Sequence, residues 1–187
     1  EPRPRITIDV TSDACLADVE RAGVGGFCHG LYWFFEIPEE DRPFLTIPVL
    51  EFLGVGAGAL NFFAYLSGAL QADTDVNILL RTDALTSALV LPAGSASSEV
   101  LQETDDHLRG TWQWGALERH LRVAHLYGDC NWAGDLISRK RWSEFFRLCA
   151  LLSIRPRRIE MTPEATELFA VATRAGRRLA HKRQASD

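Results

Sequence analysis

The stretch Arg5-Ile-Thr-Ile-Asp-Val-Thr-Ser-Asp13, RITIDVTSD, alternates apolar and polar side chains and is rich in β-branched residues. A period of two on such residues predicts a strand over 5–12, with Asp13 standing at its end. Asp9 shares the face of Asp13 by the same alternation, and is its competitor for any role on that face. What the acid faces depends on the strands and helices that follow.

Downstream, Gly23-Val-Gly-Gly26 leads into Phe-Cys-His, Gly30 and Leu-Tyr-Trp-Phe-Phe-Glu-Ile37. This predicts a second and a third strand around a turn near Gly30, with glycines where strands cross closely. Residues 38–43 form a loop. A helix starts at Thr46, a candidate N-cap, with Pro48 in its first turn, and its apolar run continues to about Leu70. Gly54, Gly56 and Gly58 weaken it by about 1 kcal/mol each when exposed, so they imply close packing against a sheet. The run GVGAG lacks G-x-G-x-x-G spacing and follows no strand, so it is no phosphate loop.

Residues 75–82 (DVNILLRT) have the apolar middle of a central strand, ending at Asp83. A short helix over 84–91 is closed by Pro92, and 93–98 is a loop. A helix over 99–117, a strand over 121–126 and a helix from the 128–139 run through about Leu152 follow. Beyond Ile154 come short extended segments, a helix from Thr162 and a basic tail. Three strands followed by alternating crossovers imply an α/β fold: a mixed five-stranded sheet, antiparallel first and then parallel, with helices on both faces. Residues 1–142 read as the domain. Residues 143–187 read as a helical extension with a basic tail, packed on it or leading away.

The 187 residues suit one domain, and shares of 47% hydrophobic and 24% charged are those of a globular protein. Cys15, Cys28, Cys130 and Cys149 fall in no metal-ligand spacing and read as reduced thiols of an intracellular protein, cytoplasmic or nuclear and not secreted. No apolar run reaches the roughly 18 residues of a membrane span. With no starting Met, the chain reads as a piece of a longer polypeptide. Its formal charge of −5 argues mildly against a nucleic-acid partner. Positive charge is nevertheless concentrated late, at Arg139-Lys-Arg141, at Arg155-Pro-Arg-Arg158 and over 177–183.

Four acids occupy specific places: Asp13 and Asp83 at strand ends, Glu51 early in the long helix, and Asp135 near the start of a late one. If the first and fourth strands are neighbours, these acids meet. Four such carboxylates repel one another unless cations neutralise them. Hard divalent ions prefer oxygen ligands, and a pair of them about 4 Å apart serves phosphodiester hydrolysis. Two Mg²⁺ ions, for which Mn²⁺ substitutes, would remove most of the charge conflict with a polyanionic substrate.

The series SDAC (12–15), GVGG (23–26), IPVLEF (47–52), ILLRTDA (78–84) and HLYGDCNWAGDLISR (125–139) resembles the RNase H domain of gypsy-type and DIRS-type retrotransposon polyproteins. The resemblance covers about residues 5 to 142 and implies an RNase H-like fold. It implies Asp13, Glu51, Asp83 and Asp135 as metal-binding catalytic acids, and Asn131, Ser138 and Arg139 as matches to the surrounding pattern. Gly134 in place of the usual Ala, Ile137 in place of Leu, and the extra acid Asp129 are departures. The implied activity is hydrolysis of the RNA strand of an RNA–DNA hybrid, beside an adjoining polymerase domain and away from membranes.

His125 is a candidate to shuttle protons or touch phosphate, although a histidine closing a strand is more often structural. Asn131, Trp132, Arg139, Lys140 and Arg141 are candidate substrate contacts. Trp112 and Trp114 suit packing better than base stacking, and Trp33, Phe34 and Phe35 suit a core strand. Two rival readings are an inactive relative serving as a nucleic-acid-binding or assembly module, and a DNA-cutting enzyme of the integrase or transposase type. Fold alone does not separate them.

Overall fold

In a computed structural model, which describes residues 5–17, 21–72, 75–84 and 98–186, the β-branched segment forms β1, Ile6–Leu16. Its two edges pair over different lengths. One edge runs antiparallel to β2, Ala22–Cys28, from Thr11 to Leu16. The other runs parallel to β4, Val76–Thr82, only from Ile6 to Thr11. Asp13 is therefore not at the strand's end, as the sequence suggested. The strand continues past it because β2 still supplies backbone partners after β4 has stopped.

β2 turns into β3, Leu31–Glu36, through His29 and Gly30. Both have positive φ, 47° and 84°, the pattern of a two-residue type I′ hairpin. β5, Leu121–His125, adds parallel to β4, and β6, Arg157–Arg158, adds parallel to β3 at the far edge. The order β5-β4-β1-β2-β3-β6 realises the expected mixed sheet, antiparallel in its first three strands with parallel additions, plus one short sixth strand.

Helices cover both faces. α1, Ile47–Asn61, is buried from Val49 to Asn61, as a helix apolar all round must be. It lies on β1, β2 and β4 and is covered by α3, Glu99–Gly110, and α7, Pro163–Gln184. A Cβ added at Gly54 would stand 3.2 Å from Ser12 and Val24, and one at Gly56 would stand 3.0 Å from Leu108 and Leu168. The glycines thus thin the helix on its sheet side and on its outer side.

The single helix expected to about Leu70 is instead two, since α2, Phe63–Ala72, departs at 53° from α1. Buried Asn61 marks the break, its Oδ1 accepting the Thr162 N–H at 2.9 Å where α7 begins. The helix expected over 99–117 also divides, into α3 and α4, Trp112–Leu117. Thr111 Oγ1 donates to the Leu108 carbonyl at 2.7 Å and caps α4 by accepting the Trp114 N–H at 3.4 Å. Most of the helix expected at 84–91 and of the loop at 93–98 lies outside the described residues.

On the other face, α5, Trp132–Ser138, crosses β1 and β2 and is followed by α6, Trp142–Leu151. The sequence predicted one helix here. Lys140, at φ 56°, ends α5: its N–H goes to the Ile137 carbonyl and that of Arg141 to Leu136, a Schellman closure without glycine. A Cβ on Gly25 would stand 2.3 Å from Ile137 Cγ2, so the glycines of β2 let α5 rest on the strand backbone.

Because both faces are covered, β3 is apolar or aromatic from Leu31 to Phe35. Trp33 packs with the α1 core and Phe35 stacks on Phe169 of α7 at 4.1 Å, while Tyr32 and Phe34 join Ile137 and Phe145 on the α5 side. The C-terminal basic run, expected as a loose tail, forms the end of α7. Its Arg177, Arg178 and Lys182 pair with Asp41, Glu103 and Glu99. Leu168 and Phe169 of α7 are buried in the main core, each contributing about 1.5–3 kcal/mol of burial.

Candidate metal centre

Where β4 stops, β1 has a free edge. The parallel register ends at Thr11↔Arg81, and carrying it two residues further sets Asp13 opposite Asp83. The Ala14 N–H, with no β4 residue to bond, donates instead to Glu51 Oε1 at 3.2 Å. Glu51 comes from just past the first turn of α1, on the opposite face of the sheet. It reaches the group because no strand intervenes. One carboxylate oxygen from each of Asp13, Glu51 and Asp83 lies within 4.8 Å of the others.

Asp13 and Glu51 are only 4% and 6% exposed, and Asp83 is half-buried. Burial is the main force on all three. It pushes Asp13 up to about 6, against a hydrogen bond from Ser138 Oγ at 2.5 Å and with the charges of Asp83 and Asp135 adding to the rise. It pushes Glu51 up to about 9, reinforced by Asp13 and Asp83 and opposed by the Ala14 amide. Asp83 is raised by burial as well, with its own backbone N–H opposing and Asp135 adding. Glu51 Oε2 is buried without a hydrogen-bond partner among the described residues. A buried, unpartnered oxygen facing two more acids is costly unless a cation takes it. An all-oxygen donor set of this kind fits a hard divalent ion.

Asp135 stands beside the trio and outside it. Its charge reaches Asp13 and Asp83, but its Oδ1 accepts Arg139 Nε at 2.6 Å, one helical turn on. Arg139 in turn favours the ionised form of Asp13, Glu51 and Asp83. His125 Nε2 lies 3.0 Å from the Asp83 carbonyl oxygen, which places the imidazole at the backbone of that acid. Asp9, the alternative first ligand, is paired with Arg81 at 2.5 Å and is not part of the trio.

Asn131, at the N-cap position of α5, makes no side-chain capping bond. Its Nδ2 donates to the Ser12 carbonyl at 2.8 Å and ties the helix start to β1. Gly134 explains itself here: a Cβ at that position would stand 2.6 Å from Asn131 Oδ1. Trp132 packs against Phe27 and Phe145. Lys140 pairs with Glu36 and lies over the Phe34 ring, and Arg141 pairs with Glu144 at 2.5 Å. All three cations of 139–141 thus have acidic partners within the chain. Trp114 is buried, whereas exposed Trp112 packs edge-on with Phe63.

Ser138 was legible only as part of a motif. Its hydrogen bond to Asp13 makes it a positioning group for the first acid, and only its place one turn after Asp135 hinted at that. The Ala14 amide carried no sequence signal at all.

Fold and site together define an α/β protein whose sheet order and buried Asp–Glu–Asp group are consistent with an RNase H-like fold and a carboxylate metal site. Compared with models of protein families, with curated proteins and with solved structures, the chain matches none.

Proposed function

We propose that this chain is a divalent-metal-dependent ribonuclease H, cutting the RNA strand of RNA–DNA hybrids within a retrotransposon-derived polyprotein that also carries a polymerase domain. The observation that carries the reading is the convergence of Asp13, Glu51 and Asp83 from two strand ends and a helix, with Oε2 of Glu51 buried and unpartnered among the described residues. A group this poorly solvated, with three acids and no ion pair to a described cation, has the donor set for Mg²⁺ or Mn²⁺.

Asp13, Glu51 and Asp83 would hold the ion, and Asp135 is the fourth acid that the family resemblance assigns to a second one. When bound, the metal supplies Lewis-acid stabilisation of a phosphoryl oxygen and acidifies water. The chain's own residues do the rest. Ser138 favours the ionised form of Asp13 and orients it, the Ala14 amide fixes Glu51, and His125 stands at the Asp83 backbone, where a proton or a phosphate can be met. Discrimination of RNA would come from its 2′-hydroxyls in the shallow minor groove. The products implied by the resemblance are 3′-hydroxyl and 5′-phosphate ends.

The Asp135–Arg139 ion pair favours a second reading, in which three acids suffice and duplex DNA is cut in the manner of an integrase or transposase. Cleavage of end-labelled hybrid and of duplex DNA in Mg²⁺ and in Mn²⁺, by wild type and Asp83→Asn, tests both. Hybrid cut by wild type alone supports the first reading, and duplex DNA cut instead supports the second. Equal inertness of both proteins toward both substrates removes the enzymatic proposal.

A further inference from the structure

The sequence has three basic clusters, and the fold treats them differently. Arg139, Lys140 and Arg141 are taken by Asp135, Glu36 and Glu144, and Arg177, Arg178 and Lys182 by Asp41, Glu103 and Glu99. Arg155, Arg157 and Arg158 are all exposed and form no ion pair with a described residue. They are nonetheless held in place. The Arg157 N–H bonds the Gly30 carbonyl at 2.8 Å and the Ile159 N–H bonds that of Tyr32 at 2.9 Å, which fixes β6 to the sheet edge by backbone alone. Three guanidinium groups without an ion partner among the described residues thus stand along one fixed edge of a protein whose net charge is −5, Arg158 on the Tyr32 side that also carries the cleft and Arg157 on the Leu31 side.

Beside them opens a cleft of about 500 Å³, whose walls include Asp9, Thr11, Phe27, Asn131, Trp132 and Arg155. That volume lies in the range of sites that hold small organic groups. Phe27 and Trp132 present tilted rings with centroids 5.7 Å apart, and the Asp9 charge is met by Arg81, so the wall is aromatic without being anionic. Thr11 and Asp13 share one side of β1, two residues and about 7 Å apart along the strand. The cleft and the carboxylates therefore open along the same face.

We propose that Arg155, Arg157 and Arg158, with the cleft lined by Phe27 and Trp132, bind a nucleic-acid strand running to or from the carboxylate centre. The guanidinium groups lie on its phosphates and one unpaired base enters the cleft. This rests on the nuclease reading and adds to it the place of the strand and the need for an unpaired nucleotide. Arginines suit phosphate geometry, aromatic walls accept any base, and an acidic peptide would have no use for the cleft.

Binding is measured in EDTA by fluorescence anisotropy, so that no cutting intervenes. The probes are a labelled RNA–DNA hybrid with blunt ends, the same hybrid with a single-stranded overhang, and polyglutamate as competitor. Wild type is expected to prefer the overhang about tenfold, in line with one stacked base. The variant carrying Arg155→Ser, Arg157→Ser and Arg158→Ser should bind at least about tenfold more weakly, with a salt slope shallower by about 2 to 3 units. The corresponding triple Lys variant should recover the slope. Trp132→Leu should lose only the overhang preference, with thermal melts checking that each variant folds, and Arg141→Ser should change little.

Unchanged affinity and slope in the triple Ser variant overturn the proposal. So does displacement of the hybrid by polyglutamate at equal charge concentration, which would mark a protein-docking edge. A chain that binds in this way but never cuts removes the nuclease reading alone, and one that cuts without needing these arginines removes this inference alone.

Discussion

Asp13 and Asp83 occupy matched register positions on two parallel strands, two residues beyond the last paired residues, Thr11 and Arg81. Their side chains meet because the strands part there, and repulsion between them is built into the metal-free fold. Asp83→Asn should therefore stabilise the chain in EDTA, by about 1 kcal/mol or roughly 2–4 °C in melting temperature. The same substitution should abolish the rise in melting temperature that Mg²⁺ gives wild type. An acid held only for surface solubility would show neither effect.

The pH dependence of stability in EDTA should run opposite to that of most carboxylates. Glu51 is raised from 4.5 to about 9 and Asp13 from 3.8 to about 6, so the fold prefers both protonated. Their contribution is fully present below the unfolded values and is lost as pH rises through the folded ones. Thermal melts should show stability falling from about pH 4.5 toward pH 9, and Glu51→Gln should flatten the upper part of that slope. Because a bound ion needs the ionised acids, the stabilisation by Mg²⁺ should grow over the same window. A melting temperature independent of pH between 5 and 9 would contradict this.

Ser138→Ala removes the one side-chain hydrogen bond that favours ionised Asp13. The loss of a bond to a charged group, about 1.5–3 kcal/mol, should appear mainly as weaker metal binding. Titration calorimetry with Mn²⁺ should find the pH at which binding sets in moved upward. Ser138→Thr, which keeps the hydroxyl, should restore much of it where the extra methyl is tolerated.

Gly25→Ala drives a methyl group to 2.3 Å from Ile137 Cγ2 at the seat of α5. Overpacking of this kind costs about 1–3 kcal/mol. Because α5 carries both Asp135 and Ser138, the variant should lose metal affinity along with stability in chemical denaturation. A double variant with Ile137→Val should recover part of both, which separates local crowding from general misfolding.

Ser153 ends α6 at φ 57°, with its own N–H bonded to Ala150 and that of Ile154 to Cys149. A left-handed non-glycine residue costs roughly 1–2 kcal/mol. Ser153 is exposed, and Ser153→Gly should raise the melting temperature by about 2–4 °C, while Ser153→Val should lower it.

Much of the chain could be read in order along its length. The alternation of RITIDVTS, the apolar ILL and the aromatic-rich LYWFF declare strands because side-chain period and burial are local properties. The acids at 13, 51, 83 and 135 were marked by their positions at the borders of those elements. The helix breaks at Asn61, Thr111 and Lys140 were not legible. Each is made by a hydrogen bond or left-handed residue that no propensity announces, and none of these three residues is Gly or Pro or is followed by one. Nor could the chain say that the basic run at 177–182 would be taken up, since Asp41, Glu103 and Glu99 reach it only through the fold. The sequence by itself determined the first five strands, the mixed character of the sheet and the candidate acids. Only the tertiary structure decided that β4 ends before β1, which opens an edge where Glu51 from one face meets Asp13 from the other, because such a meeting depends on where strands stop pairing and not on what either strand contains.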